Sequence, residues 1–277
     1  MLNLIGRWLA PPRNSDGQAL ARAVGGKVVL VTGASFGIGE ALALRLGAAG
    51  ARVLLAARSL DELQALAARI NQQGGQAYCF QLDLRDSDQI DGVAAAILAQ
   101  FGAVDIVVHN AGKSIRRPLL KALDRPHDFE RCAHVNYLGP VRLQLALLPG
   151  MIERRGGQIV NVSSVGVRMP AVAHWAAYLA SKSAFDHWLG AAVPELRPHS
   201  IACTSVYLGL VHTRMSAPTK EYASMPGLTA DQAACVLCKA LIGRPRSLQP
   251  WWLGPVHLVS PLLERPLEWL QWLWFSR

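Results

Sequence analysis

No apolar run in this chain reaches the length of a membrane-spanning helix, so an integral membrane protein is not expected. The N-terminal stretch Met1–Ala10 is apolar but short. It has no charged region ahead of it and is followed by Pro11-Pro12, so it reads poorly as a secretory signal. A disulfide framework is also missing. The cysteines are Cys79, Cys132, Cys203, Cys235 and Cys238, an odd number without framework spacing, which fits a reducing, cytoplasmic setting. Cys235 and Cys238 form a lone C-x-x-C with no second ligand pair, so no metal is expected. Inside the apolar run Ala233–Leu241 they read as two core cysteines one helical turn apart. Lys and Arg are scattered, with no dense run and no interleaved stacking aromatics, so nucleic acid is not an expected partner. Internal repeats and low-complexity linkers are absent too, which predicts one domain with short terminal extensions: 1–25, a core over 26–250, and 251–277.

What is present is a chain of 277 residues, 51% hydrophobic, with a formal charge of +9. The apolar fraction supports a sizeable core. The charge suits an anionic partner such as a phosphorylated cofactor, coenzyme A or an anionic membrane surface, although many enzymes are basic without one. Strand patterns at Val28–Val31, Arg52–Ala56, Ala77–Leu82, Val104–His109, Gln158–Val162 and Ile201–Tyr207 alternate with helical ones. The helices are expected at Gly37–Gly47, from Ser59 to about Gln72, and at Ser87–Phe101, Asp128–Leu148 and Ala177–Leu196. Ser59-x-x-Glu62 and Thr229-x-x-Gln232 read as capping boxes, and Pro194 should kink or end its helix. The alternation implies right-handed βαβ units: an α/β, Rossmann-type doubly wound parallel sheet with helices on both faces.

The first strand runs into Thr32-Gly33-Ala34-Ser35-Phe36-Gly37-Ile38-Gly39 and then a helix. Gly33 permits the tight turn, Gly37 lets the backbone approach a pyrophosphate, and Gly39 allows helix and strand to pack closely. Ser35, Phe36 and Ile38 lie in the same phosphate-binding turn, where unpaired N–H groups and the helix dipole favour an anion. At the end of the second strand, the acid that would bind the ribose diol of NAD is missing. Ala56-Ala57-Arg58 stands there, so a guanidinium sits where the 2′-phosphate of NADP(H) would lie. The alternative is that Arg58 is an ordinary solvated charge.

Tyr178 and Lys182 stand at i and i+4 near a helix start, on one face. A free tyrosine titrates near 10, and a neighbouring cation should pull it down. The phenol can then exchange a proton with a substrate oxygen while hydride moves to or from a nicotinamide. Ser164, at a strand end, can hydrogen-bond the same oxygen.

These pieces, together with Asp83-Leu84, Asn110-Ala111-Gly112, Asn136, Ser163-Ser164 and Val211-x-Thr213, occur in the order of the short-chain dehydrogenase/reductase family, which the chain resembles over most of its length. The resemblance implies that Asp83 and Leu84 flank the adenine and that Asn110, Ala111 and Gly112 line the cofactor. It makes Asn136, Ser164, Tyr178 and Lys182 the catalytic set, with Asn136 holding a water that relays protons to Lys182. Lys182 and Tyr178 also bind the cofactor, Lys182 at the nicotinamide ribose, and Gly209, Val211 and Thr213 bind it too, with Gly209 in the nicotinamide-side turn. Ser163 is the alternative to Ser164. The chain departs from the family in three ways. The step from Ser164 to Tyr178 is one residue longer than the family's. Leu208-Gly209 replaces the usual Pro-Gly. Pro194 lies late in the catalytic helix.

The stretches Asn110–Arg117, Asp128–Arg131, Asn136–Gly139, Leu147–Pro149 and Ala217–Lys220 further resemble the bacterial fatty acyl-CoA reductase branch, which makes long-chain aldehydes with NADPH. A hydrophobic substrate, acyl-CoA among the candidates, is therefore expected. Lys113, Arg116 and Arg117 either meet its phosphates or are plain loop charges. Met215–Gly227 is either a lid or a surface loop. The segment Trp251–Arg277 is rich in Trp and Leu. It either touches a membrane peripherally, joined by Met1–Leu9, or packs on the domain or a second subunit. A homo-oligomer is expected by family analogy. The competing functions are oxidation or reduction of a steroid-like or other hydrophobic alcohol or ketone, and a silent NADP-sensing module.

Overall fold

The computed structural model describes residues 10–170 and 172–275. A helix, α1 (Gly17–Val24), precedes the first strand. The alternation then runs β1 (Val28–Thr32), α2 (Gly37–Ala48), β2 (Arg52–Ala57), α3 (Leu60–Gln72), β3 (Gln76–Gln81), α4 (Ser87–Phe101) and β4 (Ile106–His109). It continues through α5 (Pro126–Ala133), α6 (Gly139–Glu153), β5 (Gly157–Ser164), α7 (Ala176–Leu196) and β6 (Ile201–Leu208). The remaining elements are β7 (Val211–His212), β8 (Leu228–Thr229), α8 (Ala230–Gly243), β9 (Ser247–Leu248) and α9 (Leu253–Phe275).

Seven strands form one parallel sheet in the order β3-β2-β1-β4-β5-β6-β9. The order reverses direction between β1 and β4, and an open α/β sheet offers its ligand crevice at the carboxyl ends of the strands flanking that point. The strands are apolar on both faces because helices cover both faces. Successive residues of β1 illustrate this. Val29 and Val31 join a core with Leu42 and Leu46 of α2, Leu63 and Ile70 of α3 and Leu237 of α8. Val28 and Leu30 join a second core with Ile90 and Ile97 of α4, Leu143 and Leu147 of α6 and Leu189 of α7. Leu20 and Val24 place α1 in the first of these cores.

Thr229 and Gln232 close the expected capping box at α8, with reciprocal bonds of 3.2 and 3.1 Å. The box expected at Ser59 does not close. Ser59 stands at the N-cap of α3 but makes no side-chain cap bond; it and Glu62 are exposed, where water can satisfy the same N–H groups. The helix α7 runs through Pro194 and stops two residues later at Leu196, where the 3-10 turn Arg197–His199 takes over. The apolar stretch expected as one helix over 128–148 is two helices joined by a π-turn, His134–Leu138. Cys235 and Cys238 lie buried on α8 as free thiols. The expectation that Met1–Leu9 joins the C-terminal segment falls outside the described residues.

Candidate active site

The glycine turn after β1 is shaped by what it must approach. Gly33 (φ +67°) and Gly37 (φ +62°) adopt left-handed backbone that L side chains rarely take. A Cβ on Gly33 would lie 2.7 Å from the Ala111 Cα, and one on Gly37 would lie 3.1 Å from Thr213 Cγ2. A Cβ on Gly39 would strike the Gly33 carbonyl oxygen. Thr32 fastens this turn to the loop after β4: its Oγ1 donates to the Val108 carbonyl (3.3 Å) and accepts the N–H groups of Asn110 and Ala111, both at 3.1 Å. The Asn110 amide returns bonds to the carbonyls of Thr32 (3.0 Å) and Gly33 (3.1 Å). Phe36, at the N-cap of α2, supplies no side-chain cap, so the first N–H groups of that helix are available to an anion. Ser35 and Ile38 lie in this turn, only partly covered.

Around the cradle, Arg58 stands exposed at the end of β2, and its carbonyl accepts from the Gln81 amide at 3.1 Å. The Asp83 carboxylate is held below the usual range by hydrogen bonds from Arg85, which pairs with it at 2.5 Å. Leu84 is buried, and its carbonyl oxygen sits where a Cβ on Gly139 would go. On the far side Val211 is buried and pairs with Leu228 across β7 and β8. Gly209 adjoins open space. Arg214 lies 3.7 Å above the Phe36 ring, a cation at the cradle that the sequence reading missed. A motif would not have found it, because only the fold brings residue 214 to residue 36. The glycine clearances, the uncapped helix start and the basic rim together fit a dinucleotide.

The side chains expected to react gather at the carboxyl ends of β4 and β5 and at the start of α7. Ser164 ends β5. Its hydroxyl accepts from the Gly166 N–H at 3.3 Å and is hydrogen-bonded to the Tyr178 phenol. The longer step between them is taken up by the turn Val165–Val167 and by the bends that follow, where His174 holds φ +74°. Ser163, one residue earlier, is buried with no partner for its Oγ. Lys182 is buried and donates to the Val162 carbonyl at 2.9 Å. A Cβ on Gly112 would lie 3.4 Å from Asn136 Oδ1 and 3.5 Å from Lys182 Nζ, which brings these three residues together. Asn136 sits in the π-turn. Its amide nitrogen donates to the Lys113 carbonyl and to Ser181 Oγ, both at 2.9 Å, and its oxygen accepts the Lys113 N–H at 2.8 Å. The side chain therefore ties α7 to the loop after β4.

The electrostatics differ from the expected cation-lowered phenol. Burial pushes Tyr178 above the ordinary tyrosine value, and the Ser164 hydrogen bond only partly opposes this. Burial also lowers Lys182 to about 8, against the upward pull of Asp186. Both shifts favour the neutral form of a group taken out of water. Asp186 was not singled out from the sequence. One turn beyond Lys182, its carboxylate accepts from Ser205 Oγ (2.7 Å), Tyr207 Oη (2.8 Å) and the Asn161 amide (3.1 Å). The signal was there in the i+4 spacing.

Two other residues missed from the sequence are aromatic. Trp175 meets Tyr178 edge-on with ring centres 5.7 Å apart, and Tyr222 stacks on Trp175 at 6.3 Å. Through Tyr222, the segment Met215–Gly227 closes on the reacting centre. The Arg116–Glu221 ion pair (3.1 Å) fastens that segment to the loop after β4. Arg117 is committed to the buried carboxylate of Asp128 at 2.8 Å, which Arg125 shares at 3.1 Å. Of the three loop cations, two thus serve protein contacts. Among the described residues no three His, Cys, Asp or Glu side chains gather as a metal site.

A glycine cradle at the switch point of a parallel sheet, with Ser, Tyr and Lys converging beside it, defines a nicotinamide-dependent oxidoreductase. The chain belongs to the short chain dehydrogenase family, whose sequence profile matches residues 27–223. It is 48% identical to a fatty acyl-CoA reductase of Acinetobacter baylyi over 225 residues, 81% of this chain and 76% of that one. It is 46% identical to an uncharacterized oxidoreductase of Mycobacterium tuberculosis over 83% of this chain and 68% of the relative. Among solved structures, a metagenomic short-chain oxidoreductase in complex with NADP superposes with a TM-score of 0.69 at 35% identity, covering 79% of this chain and 92% of the other. An actinorhodin polyketide ketoreductase with NADPH gives 0.71 at 29% identity, covering 79% and 90%.

Proposed function

We propose that this protein is an NADPH-dependent reductase of long-chain acyl carbonyls, with acyl-CoA thioesters as its substrate class. The observation that carries the reading is the hydrogen-bonded, partly covered Ser164–Tyr178 pair beside buried Lys182, in a chain nearly half identical to a fatty acyl-CoA reductase. A protonated phenol held beside Ser164 can donate its proton to a carbonyl oxygen. When bound, the nicotinamide supplies the hydride. The turn Gly33–Gly39 and the loop Asn110–Gly112 would hold the dinucleotide, with Asp83 and Leu84 at the adenine and Gly209, Val211 and Thr213 on the opposite side. Arg58 would meet the 2′-phosphate.

Ser164 and Tyr178 orient the thioester oxygen. As that oxygen gains negative charge, Tyr178 gives it the phenolic proton. Lys182 stabilises the phenolate that remains, and solvent restores the proton. The resulting hemithioacetal loses coenzyme A as the thiol when its C–S bond breaks, leaving the aldehyde.

The test follows NADPH consumption across acyl-CoA chain lengths, free aldehydes and steroid-like ketones. Long-chain acyl-CoA should be reduced with release of free thiol, and Tyr178→Phe should lower kcat by roughly 10²–10⁴-fold. Turnover of ketones alone, with no thiol released, would refute the assignment.

A further inference from the structure

The last helix exposes several large apolar side chains. Projected at 100° per residue, Leu258, Leu262 and Trp269 form one stripe of α9, bordered by Leu263 and Leu270. Leu258 is 81% exposed, Leu262 79% and Trp269 59%. Glu264 and Glu268 lie on the opposite side, together with His257, whose Nδ1 lies 3.2 Å from the Arg168 carbonyl oxygen. Both glutamates and His257 are exposed as well, and the positions of α9 that the domain partly covers include Val256, Ser260, Leu267 and Gln271.

A second exposed apolar group lies close to the same loop. Leu119, Leu120 and Leu123 are 61%, 83% and 77% exposed. They follow Arg117, whose N–H donates to the His174 carbonyl at 2.8 Å. Arg168 and His174 both belong to the loop between Ser164 and Tyr178. The two apolar groups therefore flank the segment that covers the reacting centre.

We propose that α9 and the turn Leu119–Lys121 dock on the surface of an anionic phospholipid bilayer, which sets the entrance of the active site against the lipid phase. Given the long-chain reading above, this is the phase from which the acyl substrate comes and into which the aldehyde leaves. Charge selects the bilayer over a second copy: the chain carries +9, which an anionic leaflet attracts and another copy repels. The two glutamates lie on the side away from the lipid. Among the described residues no helix is long and apolar enough to cross a membrane, and α9 contains Pro261 and Pro266, so it lies in the interface.

The experiment is co-sedimentation of the full-length protein with phosphatidylcholine vesicles, with and without phosphatidylglycerol. The protein should sediment with the phosphatidylglycerol vesicles. Leu262→Glu/Trp269→Glu should weaken that partitioning by roughly tenfold or more, and Leu120→Glu should weaken it by less. All variants should retain turnover of a short, soluble acyl-CoA. Equal partitioning of variant and parent overturns the proposal, as does a parent that stays in the supernatant. If the double variant instead splits a dimer, seen by light scattering, while neither form binds vesicles, a second copy covers the face. Vesicle binding by a protein that reduces no acyl-CoA would count against the substrate assignment alone.

Discussion

Lys182 is drawn toward neutrality by burial and toward its charged form by Asp186 one turn away. Asp186 is in turn held by Asn161, Ser205 and Tyr207, and Arg168 lies 4.0 Å over the Tyr207 ring. Buried His109 is neutral near pH 7, since burial depresses its value to about 4, and so adds no positive charge beside the lysine. Asp186 thus acts through Lys182 as a positioning residue. Lys182 is charged below about 8, and removing the carboxylate lowers that value further. In Asp186→Asn the alkaline limb of the kcat/KM profile should move to lower pH, and Asp186→Glu should restore part of it. An unmoved limb would show that the two groups are uncoupled. Arg58 supports a second prediction at this scale. Arg58→Glu should lower the preference for NADPH over NADH by roughly tenfold or more, measured as the ratio of kcat/KM values, because a bidentate donor to phosphate becomes a like charge. The Tyr178, Lys182 and Ser164 positions were legible because their chemistry depends on short spacings and strand ends. Asp186, Trp175, Tyr222 and Arg214 were harder to see because their partners are set by packing between elements distant in sequence.

The parallel strands and their helices were legible from apolar runs and 3.6-residue spacing, and six of the seven strands of the main sheet fall where those patterns lie. The seventh, Ser247–Leu248, has two residues and no period to read. The helix Gly17–Val24 escaped the same reading, although Asp16 caps it by accepting from Gln18 and Ala19. The two capping boxes show the limit of a local motif. Four residues of the right types close at Thr229 and stay open at Ser59, because exposed N–H groups have water as a partner. The closed box can be tested. Thr229→Ala should cost about 1 kcal/mol. In a domain of this size that lowers Tm by about 2–4 °C in a calorimetric scan, with kcat unchanged.

Across the whole molecule the surplus of +9 charges surrounds a site expected to receive polyphosphate ligands. Long-range attraction of this kind acts on encounter and is screened within about 8–10 Å at physiological salt. The stopped-flow association rate for NADPH should therefore fall as ionic strength rises, and fall more steeply than that for NADH, which carries less charge. Equal slopes would mean that the surplus is not focused on the cleft. The alternation implies a doubly wound sheet with a switch point, but more than one strand order satisfies it, so only the fold shows that β1 and β4 flank the cleft. Nor was the exposed apolar stripe of α9 legible: composition showed that Trp and Leu were abundant there, but only the fold shows which way they point.

The π-turn at His134–Leu138 has a consequence for how this chain can vary in length. It holds one residue more than an α-helical turn would, and Gly139 closes it by donating to the His134 carbonyl. Deleting a single residue there would let α5 and α6 fuse into one continuous helix, a gain in regular hydrogen bonding. It would also rotate everything on one side by about 100° relative to the other. Asn136 would then leave the Lys113 backbone and Ser181, and Gly139 would no longer sit against Leu84. A change that makes the helix more ideal would disconnect α7 from the loop after β4. This part of the chain should accept substitutions more readily than any change in its length.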